Sequence, residues 1–342
     1  MRRKPLHIAL IYNASTLAPP KDPGDTSDLA ELRCLIQRLA QVLRQLGYRV
    51  TVLPLAQNLT TFPHRLRRLR RLRPDVVFNQ YEDVVPGAAD EMRMAALIEL
   101  LGYPLTGSPA KALGLTSCKH TTARVLQGLG IAVPPQTELL ECASDVDRHK
   151  WRFPVIVQPS REHAGAGLER DSVVYSCKAL QRKVRQIFRT YAQPALVRQF
   201  LSGREFNVSL LGGRNLKVLP ITEINYQELP AHIPPILSYA ANWLENTVEY
   251  KKISIICPVR VKPALARELR ETALRVFRAV GGRGYGRVDF RLDAAGRPRV
   301  IDVNCNPLLE EGQALARSAE VAGIQYPQLL QAIIAAALKR RP

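Results

Sequence analysis

Gly286-Arg287-Val288-Asp289-Phe290-Arg291-Leu292-Asp293-Ala294-Ala295-Gly296-Arg297-Pro298-Arg299-Val300-Ile301-Asp302-Val303-Asn304-Cys305-Asn306-Pro307 is the stretch on which the fold turns. Two strand-like runs, Gly286–Leu292 and Arg299–Asn304, flank the turn-rich Ala294–Arg297. A four-residue loop there predicts a hairpin in which Asp293 pairs with Pro298, Asp289 faces Asp302 and Arg287 faces Asn304. Side chains alternate along a strand, so Asp302 and Asn304 share a face, as do Arg287 and Asp289. Cross-strand neighbours have Cβ atoms ~5 Å apart. Two carboxylates, an amide and a guanidinium therefore converge. Acids that close repel each other unless a cation lies between them. A hard-oxygen Mg²⁺ site answers that need. Arg287 is placed to neutralise charge developing on a phosphoryl or acyl oxygen. The plainer reading is a solvated hairpin with cross-strand salt bridges. The amide, the arginine and the Pro-terminated loop together favour a site.

Outward from this hairpin the chain alternates strand and helix. Leu6–Tyr12 reads as a buried strand, Leu29–Leu46 as a helix closed by Gly47, and Tyr48–Leu55 as the next strand. Arg65–Arg73, Asp75–Asn79 and Glu91–Leu101 continue the pattern, which implies a parallel sheet with crossover helices over residues 1–105. A second unit, 106–195, holds helices at Ser117–Leu129 and Ala179–Ala192 and a strand at Pro154–Gln158. The third, 196–342, is richer in antiparallel strands: Ala195–Phe200, Glu205–Leu211, Leu216–Glu223 and the hairpin. Its helices are Pro263–Val280, Glu310–Ala322 and Pro327–Leu338. The fold class is α/β, turning to α+β towards the C-terminus.

Composition sets limits. The chain has 342 residues and a formal charge of +19. Hydrophobic residues at 46% and charged residues at 23% are those of a globular chain, which excludes wholesale disorder. No apolar run approaches the ~18 residues of a membrane span, and the apolar stretch after Met1-Arg2-Arg3-Lys4 is short for a signal peptide. The expectation is a cytoplasmic protein. Six scattered cysteines lack the spacing of a zinc or redox motif. The 37 arginines against 12 lysines raise the question of nucleic acid. The densest cluster, Arg65 to Arg73, spreads around a helix with only Leu66, Leu69 and Leu72 as an apolar stripe, and no aromatics interleave. That geometry is a solvated helix docked on a sheet, so no specific nucleic acid and no membrane partner are expected.

The hairpin segment resembles the carboxy-terminal signature of ATP-grasp ligases, in particular D-alanine–D-alanine ligases, where the pattern is R-x-D-F-x-x-D…E/D-x-N-x-x-P. The likeness runs through most of the chain. Tyr103-Pro104-Leu105-Thr106-Gly107-Ser108 is similar to that family's Y-T-G-S turn, and Leu115–Lys119 to its L-S-x-D-K helix start. Pro154–Glu162 resembles P-V-I-V-K-P-S-R-E, and Arg198–Phe206 resembles the E-x-x-L-x-G-x-E-F hinge. The resemblance implies an ATP-grasp fold, with an N-terminal α/β unit followed by two lobes that clamp ATP. It implies a carboxylate–amine ligase acting through an acyl phosphate, with ATP and Mg²⁺ (or Mn²⁺) as cofactors, small-molecule substrates and a homodimer. It places ATP against Lys119, Gln158, Ser160, Gln199, Phe200, Leu201 and Glu205. Metal falls to Asp289, Asp302 and Asn304, catalysis to Arg287, and substrate to Tyr239, Trp243, Asn306, Leu308 and Gln313.

The departures are equally specific. Gln158 stands where the family carries an ATP-phosphate lysine, and Arg198 where a glutamate accepts from the adenine amine. Glu162–Gly167 lacks the family's loop serines, Asn242 replaces a lysine, and Leu308 replaces the glycine after Pro307. An active ligase on a substrate other than D-alanine, a degenerate nucleotide-binding or scaffold member, and a polyanion-binding module therefore all stay open. Neither a P-loop nor a dinucleotide fingerprint is present. Gly281–Gly286 reads as a helix end entering the strand, and Cys305 as a small filler rather than a nucleophile.

Overall fold

The computed structural model describes residues 4–14, 27–55, 62–82, 90–162, 165–213 and 215–339, and shows three sheets. The first has β1 (His7–Asn13) between β2 (Arg49–Leu55) and β3 (Val76–Gln80), all parallel. The crossovers are the helices Ser27–Gln45 and Phe62–Leu72. β1 is apolar at consecutive positions because both its faces are covered. Ile8 and Leu10 pack with Leu39, Leu43 and Ile333, while Ala9 and Ile11 pack with Leu69, Met94 and Ile98.

The second sheet is antiparallel and contains β4 (Glu138–Leu140), β5 (Val155–Pro159), β6 (Val173–Val174) and β7 (Ala195–Gln199), in the order β4-β7-β5-β6. One apolar cluster, including Val155, Val157, Leu180, Val184 and Val197, seats the helix Cys177–Tyr191 on it. The unit boundary expected at residue 195 falls at the start of β7, whose ladder partners β4 and β5 lie in this sheet.

The third sheet is antiparallel: β8 (Glu205–Gly212), β9 (Lys217–Val218), β10 (Thr222–Asn225), β11 (Ser254–Ile256), β12 (Gly284–Leu292) and β13 (Pro298–Asn304). Its order is β11-β10-β8-β12-β13, with β9 also on β8. Phe206, Val208, Val288 and Phe290 face a core shared with Ala9 and Ile11, so this sheet is packed onto the first unit.

Several elements differ from the sequence expectation. Leu216–Glu223 is two short strands broken around Pro220. The helix expected at Ser117–Leu129 begins at Lys119, after a separate helix Ala110–Thr116. Glu310–Ala322 shortens to Ala314–Val321. The polar, proline-containing stretch Pro19–Asp28 lies outside the described residues except for Ser27 and Asp28, which begin the first helix. Among the described residues, no single helix is long and apolar enough to cross a membrane.

Candidate active site

The β12–β13 hairpin places Arg287 opposite Asn304 and Asp289 opposite Asp302, but not through a four-residue loop. Leu292, not Asp293, pairs with Pro298, so the tip has one more residue than the sequence suggests. A bulge restores the phase: Asp289 faces Asp302, yet Phe290 faces Val300, and Ile301 has no partner on β12. Strict alternation would put Val300 on the acid face. The bulge instead sends Val300 and Val303 into the core, both 3% exposed, and leaves Asp302 and Asn304 on the other face. The broken alternation of Val300-Ile301-Asp302-Val303 was the available signal.

The start of β12 is pinned by the Thr106-Gly107-Ser108 turn. Ser108 Oγ donates to Arg283 O at 3.1 Å and accepts from Arg283 N–H at 3.0 Å. Gly284 has φ +76° and lies so near Gly107 that a Cβ would sit 3.1 Å from its backbone. On the other side, the Thr106 hydroxyl accepts from Asn79 N–H at 2.8 Å, tying the turn to β3. The site strand is thus held to the first sheet by three consecutive residues.

Each acid carries its own protein cation. Arg287 donates through Nε and Nη2 to Asp289 Oδ1 and Oδ2 at 2.7 and 2.8 Å, and Asn207 Nδ2 adds a bond to Oδ1 at 2.8 Å. Burial pushes the Asp289 carboxyl above its ordinary range, with Arg287 pulling the other way. Lys119, at the first turn of its helix, reaches Asp302 at 3.6 Å and donates to Glu162 O at 2.9 Å. Repulsion between the acids therefore does not by itself demand a metal, which corrects that step of the sequence argument. Among the described residues, no three His, Cys, Asp or Glu side chains group as a metal centre; the set is two acids and an amide. Its donors are nevertheless all oxygen. Asp289 Oδ2 takes one hydrogen bond, and Asn304 Oδ1 takes one, from Asn306 N–H at 2.9 Å, so both retain accepting capacity. The residues fit a small hard dication.

The two departures at 158 and 198 touch each other. Arg198 Nη2 donates to Gln158 Oε1 at 2.8 Å, and Nη1 donates across to Ile301 O at 2.6 Å. The guanidinium of β7 thus bridges the second sheet to the bulged residue of β13. Glu205 is also engaged: Oε2 accepts from Arg291 Nη1 at 3.0 Å and from the Tyr226 hydroxyl at 2.8 Å. Arg291 stacks on Phe200 and Tyr226, with its guanidinium carbon 5.2 and 5.3 Å from the ring centres. The Gln199 and Phe200 N–H groups donate to Pro135 O and Pro154 O at 2.9 and 3.0 Å. Leu201 is buried next to them, whereas Ser160 is buried at the other end of the β5–β7 pair, its N–H donating to Pro194 O at 3.1 Å.

The expected substrate residues come from three separate stretches of chain. Asn306 is buried, accepting from the Tyr285 hydroxyl at 2.7 Å and donating to Tyr81 O at 3.4 Å. Leu308 packs beside the core of the first sheet, near Tyr326. Gln313 is exposed at the start of the helix Ala314–Val321. Tyr239 and Trp243 lie on a one-turn helix against the loop that follows β5, where Tyr239 N–H donates to Leu168 O at 3.2 Å. His163 and Ala164 of that loop lie outside the described residues. Cys305 is buried, and desolvation pushes its thiol up to about 12, so it is no thiolate nucleophile. Sequence reasoning did not single out Asn207, Tyr226 or Arg291 as site residues. Asn207 and Arg291 are legible only once β8 is known to pair with β12, in the register Asn207–Asp289 and Glu205–Arg291.

A family model described as D-ala D-ala ligase C-terminus matches residues 125–335. An uncharacterised protein, y4sG, of Sinorhizobium fredii is 34% identical over 265 residues, 78% of this chain and 75% of that one. A D-alanine–D-alanine ligase of Marinomonas is 29% identical over 305 residues, 86% of this chain and 87% of the ligase. Among solved structures, the D-alanine–D-alanine ligase of Bacillus anthracis superposes with a TM-score of 0.72 at 20% identity, covering 98% of both chains. The same ligase complexed with ATP gives 0.70 at 19% identity over the same shares. The overall architecture is therefore the ATP-grasp fold.

Proposed function

We propose, on the premise that this chain belongs to the D-ala D-ala ligase C-terminus family, that it is an ATP- and Mg²⁺-dependent ligase joining a carboxylate to an amine. The observation that carries the reading is the hairpin face. Arg287 and Asp289 stand opposite Asn304 and Asp302, and Lys119 reaches Asp302 from a helix start. A substrate carboxylate oxygen would bond to the γ-phosphorus as the bond to the bridging oxygen breaks. The amine would then attack the acyl carbon, and phosphate would leave.

Such a transfer demands positioning and neutralisation of charge more than covalent help from the protein. Lys119 is held by Glu162 O with its ammonium turned to Asp302, which fixes a cation where phosphate oxygens would lie. Arg287 is clamped in plane by Asp289, so it need not reorganise as negative charge grows. Asp289, Asp302 and Asn304 would hold Mg²⁺, which when bound screens phosphate oxygens. The base and ribose of ATP would lie against Gln199–Leu201 and Glu205. Leu308 fills the position after Pro307 that is glycine in the related signature, which supports substrates other than a pair of D-alanines.

A second reading, a nucleotide-binding or scaffold protein without turnover, draws support from Glu205, which Arg291 and Tyr226 already engage. Release of ADP and phosphate across a panel of amino acids separates the two. The ligase reading expects release that needs both a carboxylate and an amine partner, needs Mg²⁺, and is lost in Asp302→Ala. ATP binding with no release for any pair would favour the scaffold. A salt-sensitive DNA shift abolished by neutralising Arg67, Arg68, Arg70 and Arg71 would favour the polyanion module.

A further inference from the structure

We infer that Arg198 is a phosphate-binding residue of this site, supplying from β7 the cation absent at position 158, and that Gln158 is its positioning residue. The inference rests on the nucleotide reading above. The register pairs Ile156 with Arg198 and Gln158 with Leu196, so the two side chains are diagonal neighbours on one face of the sheet. They meet at 2.8 Å, Arg198 Nη2 donating to Gln158 Oε1. The guanidinium therefore lies one hydrogen bond from the end of the 158 side chain, in the region a lysine ammonium at 158 would reach.

Three observations mark this guanidinium as one that awaits an anion. Both acceptors it holds, the Gln158 amide and the Ile301 carbonyl, are neutral. It is 7% exposed, and its Nε–H has no acceptor among the described residues. Buried donors without partners are rare in folded proteins and call for an explanation. Burial also works against the charge, and Asp302 and Glu205 favour it without bonding to it. A guanidinium keeps its charge and matches phosphate oxygens through its planar fork. A phosphate oxygen would satisfy both the orphan N–H and the charge.

The surroundings are built for this exchange. The β13 bulge leaves Ile301 without a ladder partner, and its carbonyl anchors Nη1. A neutral acceptor at 158 orients Nη2, whereas a lysine there would set two cations within hydrogen-bond reach. The departures at 158 and 198 are thus one coupled change rather than two losses.

The test is calorimetric binding of ATP and of adenosine to the full chain, its Arg198→Met and Arg198→Lys variants, and Gln158→Lys/Arg198→Met. Thermal unfolding checks each fold. Arg198→Met is expected to weaken ATP by about 10–100-fold, the range of a charge-assisted contact, and adenosine by less than about twofold. The double variant, with its cation returned to 158, regains most of the ATP affinity. Arg198→Lys still favours ATP over adenosine, which keeps the test readable if Arg198→Met does not fold. Undiminished ATP binding by Arg198→Met overturns the inference, as does an equal loss for ATP and adenosine, or a double variant no better than the single. A wild-type chain that binds no ATP overturns the nucleotide reading, and this inference with it.

Discussion

Arg291 Nη1 donates to Glu205 Oε2 at 3.0 Å, with both side chains more than nine-tenths buried. Burial holds the Glu205 carboxyl above its ordinary range, against the pull of Arg291. Removing one partner of such a pair strands the other, so Arg291→Met is expected to cost about 3–5 kcal/mol. The sign of the pH effect follows from the raised value. The folded chain takes up the Glu205 proton at a pH where the unfolded chain has lost it, so stability from this group falls as pH rises through that window. Without Arg291 the penalty should be larger at pH 8 than at pH 5, and Glu205→Leu/Arg291→Met should be milder than Arg291→Met. Urea unfolding at the two pH values checks all three. Equal losses at both would remove the ion-pair account.

The hairpin tip predicts the opposite pH dependence. Although desolvation acts to raise it, hydrogen bonds from the Arg297 N–H, Arg299 and the Ala295 N–H hold the Asp293 carboxyl down to about 2. A depressed carboxylate stabilises above its unfolded value and ceases to do so as pH falls through the folded one. Asp293→Ala should cost about 1–2 kcal/mol at pH 7, with allowance for screening at the tip. The wild-type urea midpoint should converge on the variant's as pH drops from about 4 towards 2.

Gly284 and Gly296 form a matched pair for backbone effects. Both have positive φ, +76° and +74°, but only Gly284 has backbone in its way, whereas a Cβ on Gly296 meets nothing within 4 Å. Gly284→Ala should cost about 2–4 kcal/mol, and Gly296→Ala only about 1. Because Gly284 opens the strand that carries Arg287 and Asp289, its variant should also lower Mg²⁺-dependent turnover. Thermal unfolding and ADP release measure the two effects.

Thiol accessibility separates Cys305 from the rest. Cys34, Cys142 and Cys177 are exposed, whereas Cys305 is buried with its thiol pushed up to about 12. At pH 8 a disulfide reagent should titrate the three exposed thiols first and Cys305 last, at a rate set by unfolding. Cys305→Ala should retain turnover. Rapid labelling of Cys305 in the folded chain would reopen a role for it in chemistry.

The sequence was informative where physics acts along the chain and silent where it acts across it. β1, the helix Ser27–Gln45 and the acid hairpin follow from periodicity and turn residues. The pairing of Asp289 with Asp302 was read correctly from a loop one residue too short, because the Ile301 bulge takes up the difference. The broken alternation of Val300-Ile301-Asp302-Val303 carried a signal of that bulge, but Val300 and Asp302 reveal their faces only when the core behind β13 is assembled. Gln158 and Arg198 read separately as a lost cation and a lost acceptor. That they share a hydrogen bond depends on β5 lying beside β7, a pairing between strands about 40 residues apart in the chain, which lies beyond local pattern. Arg291 looked like an ordinary strand residue for the same reason, as its partner Glu205 comes from β8.

The extra tip residue and the unpartnered Ile301 offset each other within one hairpin. Straightening β13 at Ile301 would keep Asp289 opposite Asp302 only if Asp293 joined the ladder opposite Pro298, leaving a four-residue tip. Straightened with the five-residue tip retained, the hairpin would set Asp289 opposite Ile301 and turn every side chain beyond it to the wrong face. A change of bulge is therefore expected only in company with a change in the size of the tip. A chain that straightened β13 would also take back the carbonyl that Arg198 uses, so loop length, bulge and the residue at 198 should be inherited as a set.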